Sequence, residues 1–173
     1  MGLNSTAKYA TTYEQLVTSI NRFIEASSRQ QAVTALFRAL VSYRLVGNAD
    51  AHMKNFGILC TSYRDIQLAP FYDAVCTRAF EDVPPGVLMG GKGSWWNRAT
   101  LLGFGRYCGL SAKDTEGHID DVCSAVEETL PHIDTARRQY KHFDEIGERM
   151  AVLWKHALEE IRAKRTVPKL RLR

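Results

Sequence analysis

The sequence predicts a mainly α-helical protein with one small β-hairpin. Apolar residues recur at helical spacing before Gly47 and again after Asn97. Between residues 48 and 73 that period breaks, and two short β-like runs flank a polar turn. A chain of 173 residues with 45% apolar content can bury one substantial core. A single folded unit over residues 1–161 is expected, with a basic tail over 162–173.

Each element has its own signal. Thr12-Tyr13-Glu14-Gln15 is a capping-box pattern, and Leu16, Ile20, Phe23 and Ile24 follow it on one helical face. Ser28-Arg29-Gln30-Gln31 repeats that signal ahead of Val33, Leu36, Phe37, Leu40 and Val41, spaced as a core-facing stripe. Gly47 stands where a helix commonly ends in a left-handed residue. Phe56–Cys60 and Ile66–Leu68 are the β-like runs, joined by a turn over Thr61–Asp65. Residues 81–94, with two prolines and four glycines, read as loop. Asn97 opens a helix with Leu101, Phe104 and Cys108 on one face and Gly109 at its end. Ser111-Ala112-Lys113-Asp114 starts another, carrying Ile119, Val122, Cys123, Val126 and Leu130, which Pro131 is expected to break. A last amphipathic helix is expected to hold Tyr140, Phe143, Ile146, Met150, Leu153, Trp154, Ala157 and Ile161.

Charge and cysteine usage narrow the class. The net charge is +4, yet Arg162 to Arg173 carries six basic side chains and no acid, so the remainder sums to −2. The tail reads either as a solvated end or as a contact for the phosphate backbone of nucleic acid. No stretch approaches the roughly 18 apolar residues of a membrane span, and no signal-peptide run opens the chain, so no membrane role and a cytoplasmic location are expected. Cys60, Cys76, Cys108 and Cys123 form no CxxC pair and read as reduced, mostly buried thiols rather than zinc ligands.

The chemistry concentrates between Asn48 and Asp73. The stretch reads Asn48-Ala49-Asp50-Ala51-His52-Met53-Lys54-Asn55-Phe56, followed after the hairpin by Leu68-Ala69-Pro70-Phe71-Tyr72-Asp73. An aspartate, an asparagine five residues later and a second aspartate beyond a hairpin is the order in which protein kinases arrange a base and their metal ligands. Phosphoryl transfer needs a carboxylate to take the proton of the attacking hydroxyl, oxygen ligands for magnesium, and positive charge against the phosphates. Asp50 suits the base, Asn55 and Asp73 suit the metal, and His52 and Lys54 suit charge neutralisation. An Asp and an Asn at this spacing are also common turn formers and helix caps. The helix end at Gly47, the hairpin and the aspartate directly after it are what point to an active site.

Other motifs carry less. Gly86 to Lys92 nearly matches a phosphate-binding loop, but Gly93 stands where Ser or Thr should meet magnesium and two prolines precede it, so a surface turn is expected. Trp95 and Trp96 are expected to pack on the core rather than form a partner patch. His118, His132, His142 and His156 show no ligand spacing.

With its neighbours on both sides, the 48–73 motif resembles the HipA-type serine/threonine kinases, the kinase toxins of bacterial toxin–antitoxin modules. The resemblance runs upstream through the two helices, and downstream through Leu88-Met89-Gly90-Gly91-Lys92, Trp95 and Leu101 to Leu110. It implies the helical C-terminal lobe of a kinase-like fold, ATP and magnesium as cofactors, and a protein serine or threonine as acceptor, loosely within the translation machinery. By the same resemblance Asp50 matches the base, His52, Met53, Lys54 and Asn55 the ATP-contacting run, and Tyr72-Asp73 the pair ending at the second metal ligand. His52 replaces the lysine of ordinary protein kinases, a pattern also similar to phosphoinositide-type lipid kinases. A complete kinase of this type has a further lobe that covers the phosphates and grips them with a lysine. The sequence upstream is too short for it, so the isolated chain is expected to bind Mg-ATP weakly and to transfer phosphate poorly. An antitoxin or a separate second lobe is the expected partner, with DNA nearby. The competing expectations are a non-catalytic interaction module that binds an antitoxin or DNA, and a metal-dependent phosphohydrolase using Asp50, His52 and Asp73.

Overall fold

A computed structural model of the chain describes residues 11–62, 65–91 and 93–163. Within them the helices are α1 (Tyr13–Phe23), α2 (Arg29–Val46), α3 (Arg98–Tyr107), α4 (Ala112–Gln139) and α5 (Asp144–Arg162). An antiparallel hairpin, β1 (Ile58–Ser62) and β2 (Asp65–Leu68), lies between α2 and α3 in sequence. The mainly helical fold with one hairpin is therefore as the sequence predicts. No helix among the described residues is long and apolar enough to cross a membrane.

The capping box of α1 closes in both directions: Gln15 N–H donates to Thr12 Oγ1 at 3.3 Å and Thr12 N–H to Gln15 Oε1 at 2.9 Å. Tyr13, Val17, Ile20 and Ile24 face the core, but Phe23, expected with them, is 47% exposed. It sits one helical step from Ile24, so it flanks the buried stripe beside Leu16. Ser28 does not repeat the box. Its backbone is already helical (φ −106°, ψ −8°), which aims its side chain away from the orphan amides, and it makes no cap bond. Along α2, Leu36, Phe37, Leu40 and Val41 are fully buried. Gly47 ends α2 in the left-handed region (φ 75°), where a Cβ would also press on Arg78 at 3.3 Å.

The hairpin pairs Ile58 with Leu68, Leu59 with Gln67 and Cys60 with Ile66, and pairing continues to Ser62 and Asp65. The strands thus take in three residues of the predicted turn, Thr61, Ser62 and Asp65, and the Thr61 hydroxyl donates to the Asp65 carboxylate across the ladder. In the 81–94 loop, Val87 and Met89 are buried and Leu88 bridges Thr12, so most of the near-match to a phosphate loop is anchored to α1.

Pro131 does not end α4. The helix runs on to Gln139 with Ile133 buried, and it packs along α5 more extensively than any other described pair of elements. That packing outweighs the roughly 3 kcal/mol that an interior proline costs. Thr135 Oγ1 donates to the Pro131 carbonyl at 3.0 Å, one turn back along the same helix. Helix α5 then starts later than predicted, at Asp144. Tyr140 caps α4 and is 48% exposed, while Lys141–Phe143 form a 3-10 turn that reverses the chain. Gly105 of α3 touches Thr115 of α4 so closely that any side chain there would collide with it.

Two charged elements finish the core. Arg44 of α2 is 2% exposed, pairs with Glu160 of α5 and lies over the Trp95 ring, 5.6 Å from its centre. Arg78 lies over the same ring at 4.9 Å. Trp96 is buried against Tyr13, edge to face at 5.2 Å, as the core-packing expectation requires. Cys76, Cys108 and Cys123 are buried and Cys60 is exposed; all are free thiols. Arg162 closes α5 and pairs with Glu127 of α4 at 2.8 Å; the rest of the basic tail, 164–173, lies outside the described residues.

Candidate active site

The segment after Gly47 leaves the helix end under tight control. Trp154 Nε1 donates to Val46 O at 3.0 Å, and both Arg78 N–H (3.1 Å) and Thr77 Oγ1 (3.2 Å) donate to Gly47 O. The same Thr77 hydroxyl accepts from Ala49 N–H at 2.8 Å. Orphan carbonyls at a helix C-terminus need such donors. Here they also fix the first residues of the loop.

The loop then folds on itself. Asp50 N–H donates to the Asn48 side-chain oxygen at 3.0 Å, the local turn that asparagine favours. His52 N–H donates to Asp50 O at 2.7 Å, and Met53–Asn55 form a 3-10 turn. The Tyr13 hydroxyl donates to Ala51 O at 2.7 Å from below. Phe56 follows the turn and meets Tyr13, Tyr43 and Phe71 edge to face at 6.1, 6.4 and 5.9 Å, which sets the direction in which the chain enters the hairpin.

The hairpin returns Asp73 to Asn55. Asn55, 4% exposed, donates its Nδ2 to Asp73 Oδ2 at 2.9 Å and, more weakly, to Asp50 O at 3.4 Å. Asp73 has φ 60°, the one non-glycine residue with a positive φ among the described residues. Its side chain is exposed, Asp50 and His52 are half-buried, Met53 is buried and Lys54 is exposed. Tyr72 is 53% exposed and its hydroxyl donates to Lys54 O at 2.8 Å. The Tyr43 hydroxyl donates to Tyr72 O at 3.3 Å. Burial, with Asp73 and Tyr72 nearby, holds the Tyr43 phenol above its ordinary range, so it stays a donor.

All seven residues singled out by sequence, Asp50, His52, Met53, Lys54, Asn55, Tyr72 and Asp73, therefore lie on one loop and on the segment after β2 that closes over it. Beside them runs a groove of about 570 Å³ between α1 and the hairpin, lined by Leu16, Phe23, Phe56 and Leu68 and also by Met53 and Lys54. Asp50, Asn55 and Asp73 stand outside that lining. The donor set suits a magnesium ion: Asn55 brings an amide oxygen and Asp73 an exposed carboxylate, and the Asn55 amide nitrogen joins the two side chains at 2.9 Å. Among the described residues no three His, Cys, Asp or Glu side chains gather as a metal site. Two hard oxygen donors fit an ion that draws its other ligands from water and phosphate.

Several contributors were not visible in sequence. Thr77, Tyr13 and Tyr43 act through contacts 28 to 38 residues away in the chain. Asn48 lies inside the motif, two residues before Asp50, and only its fitness for a local turn marks it out.

Comparison with known proteins gives the family and the fold. The HipA-like C-terminal domain matches residues 1–130, and the chain belongs to that family. A Sinorhizobium fredii protein named "Putative kinase Y4mE" is 42% identical over 57 residues, 33% of this chain and 13% of that protein. Among solved structures, a chain of the Shewanella oneidensis toxin–antitoxin complex of HipA, HipB and operator DNA superposes with a TM-score of 0.69 at 14% identity. That match covers 91% of this chain and 38% of the other, so the fold is shared and this chain spans well under half the length of either relative.

Proposed function

We propose that this domain supplies the base-and-metal side of a serine/threonine protein kinase active site. Asp50 would accept the proton of the attacking hydroxyl, and Asn55 and Asp73 would hold a magnesium ion that serves the phosphates of ATP. Bound magnesium would neutralise charge on the transferred phosphoryl group. Lys54, exposed at the groove, adds positive charge from the protein, and His52 lies in the same loop. Met53 and Lys54 border the groove between α1 and the hairpin, which suits the less polar part of a nucleotide. The observation that carries this reading is the 2.9 Å bond from Asn55 to Asp73, made by a side chain that also reaches the Asp50 backbone.

Support also comes from membership of the HipA-like C-terminal domain family and from the kinase name of the Sinorhizobium relative. A protein hydroxyl is the proposed acceptor. No glycine-rich phosphate-covering hairpin with its own lysine occurs among the described residues. The test is accordingly a Mg-ATP titration of this chain, alone and with the product of the adjacent reading frame. Wild type binds ATP in a magnesium-dependent manner and Asp73→Asn does not; equal binding by the two would remove the reading.

A second reading is an interaction module that binds an antitoxin or DNA. The observation that favours it is the likeness in fold to the HipA chain of a HipA–HipB–operator DNA complex. Under it, Asp50→Asn and Asp73→Asn would leave partner binding and biological effect unchanged.

A further inference from the structure

We infer that Asn48 is the positioning residue that ties Asp50 and Asp73 together and sets the magnesium affinity of the site; this rests on the kinase reading above. Asn48 is only 2% exposed, and a buried amide needs partners on both its edges. One edge accepts from Asp50 N–H at 3.0 Å, and the other donates to the Asp73 backbone carbonyl at 2.9 Å. Its own N–H donates to Tyr43 O at 2.9 Å at the end of α2. Through its backbone Asn48 is tied to the helix end, and its side chain joins the base loop to the backbone of Asp73.

The Asp73 end is where this matters most. A left-handed backbone costs a non-glycine residue about 1–2 kcal/mol and persists only where its surroundings impose it. The Asp73 side chain is exposed, so packing does not impose it. Hydrogen bonds do: Asn48 holds its carbonyl, Asn55 its carboxylate, and Tyr43 the preceding carbonyl at Tyr72. Of these, the bond from Asn48 is to the backbone of Asp73 itself and comes from the most buried amide. Without it, the carbonyl is released, the residue relaxes towards ordinary φ values and the carboxylate swings out of register with Asn55. Partners that orient a metal ligand from behind are typically worth about 10–100-fold in metal affinity.

An asparagine suits this role because it offers an acceptor and a donor in one short planar group. Leucine, branched at the same carbon, offers neither. Serine can imitate the local turn to the Asp50 amide but is too short to reach Asp73.

The test is ATP binding to the full 173-residue chain measured by calorimetry across a Mg²⁺ series, in the presence of the adjacent reading frame's product. Asn48→Leu is expected to raise the half-saturating Mg²⁺ about 10–100-fold while leaving metal-free ATP binding unchanged. Should Asn48→Leu fail to fold, Asn48→Ser is expected to give the same shift of tenfold or more. A lowered melting temperature with wild-type Mg²⁺ dependence, in a background where Asp73→Asn has lost it, would overturn the inference: Asn48 would then be structural only. If Asp73→Asn keeps the wild-type Mg²⁺ dependence, or wild type shows none, the kinase reading fails first and the inference with it.

Discussion

Asn55 donates an amide hydrogen to the Asp73 carboxylate at 2.9 Å, across a hairpin that separates them by 18 residues in the chain. That bond makes one site out of two loops, since Asn55 follows Asp50 and Asp73 follows the hairpin. It also shows how a strained residue is retained: Asp73, at φ 60°, keeps a conformation that favours glycine because its carboxylate and its carbonyl are both held.

Asp73→Gly separates stability from chemistry. Relief of the left-handed backbone, about 1–2 kcal/mol, is offset by the extra unfolded-state freedom of glycine, about 0.5–1 kcal/mol. Urea unfolding of the variant should therefore stay within about 1 kcal/mol of wild type, while magnesium-dependent ATP binding disappears. Retained magnesium dependence would count against Asp73 as a ligand.

Gly47→Ala should do the reverse and damage the frame. A side chain at φ 75° costs about 1–2 kcal/mol, and the added carbon would press on Arg78 at 3.3 Å. Arg78 and Thr77 both bind the Gly47 carbonyl, so the loop leading to Asp50 shifts with them. Denaturant midpoints and amide exchange at Ala49 and Asp50 would report both effects together.

Glu160→Leu isolates Arg44. Burial already pushes the Arg44 guanidinium below its ordinary range, and the Glu160 carboxylate is what opposes that. Removing the acid leaves a buried, uncompensated charge, at a cost of about 3 kcal/mol. The double variant Arg44→Met, Glu160→Leu should recover much of the loss in thermal melts. A single variant as stable as wild type would mean that water reaches Arg44.

Alkaline pH should destabilise the fold. Burial, with Glu14 adding to it, pushes the Cys108 thiol from its ordinary 9.0 up to about 12, and burial also raises Cys76 and Cys123. Below pH 9 these thiols are protonated in both folded and unfolded chains, and their contribution is complete. Above it the unfolded chain ionises first, so stability falls as pH rises, until the folded thiol also ionises near 12. Urea midpoints at pH 7.5 and pH 10.5 check the sign, and Cys108→Ala should flatten the decline.

Much of the site could be read from the sequence because it is local. Asp50 to Asn55 lies within one loop, and the hairpin that returns Asp73 announces itself by β-like runs. Helix faces were legible where one stripe is buried, as along Leu36, Phe37, Leu40 and Val41. The failures came where tertiary packing decides. Pro131 carries a local helix-breaking signal, but α5 packs along α4 and the helix continues past it. Ser28 has the residue pattern of a cap without the extended backbone that a cap requires. Thr77 and Tyr13 brace the motif from distant elements, and nothing in their own neighbourhoods marks them.

The central claim is a division of labour between Asp50 and the Asn55–Asp73 pair, and the most direct measurement compares Asp50→Asn with Asp73→Asn for both Mg-ATP binding and phosphate transfer. The chain is assayed together with the adjacent reading frame's product. The account predicts that Asp50→Asn binds Mg-ATP within about twofold of wild type and loses transfer by at least about 100-fold, whereas Asp73→Asn loses both. Transfer at the wild-type rate in Asp50→Asn, or identical behaviour of the two variants, would contradict it.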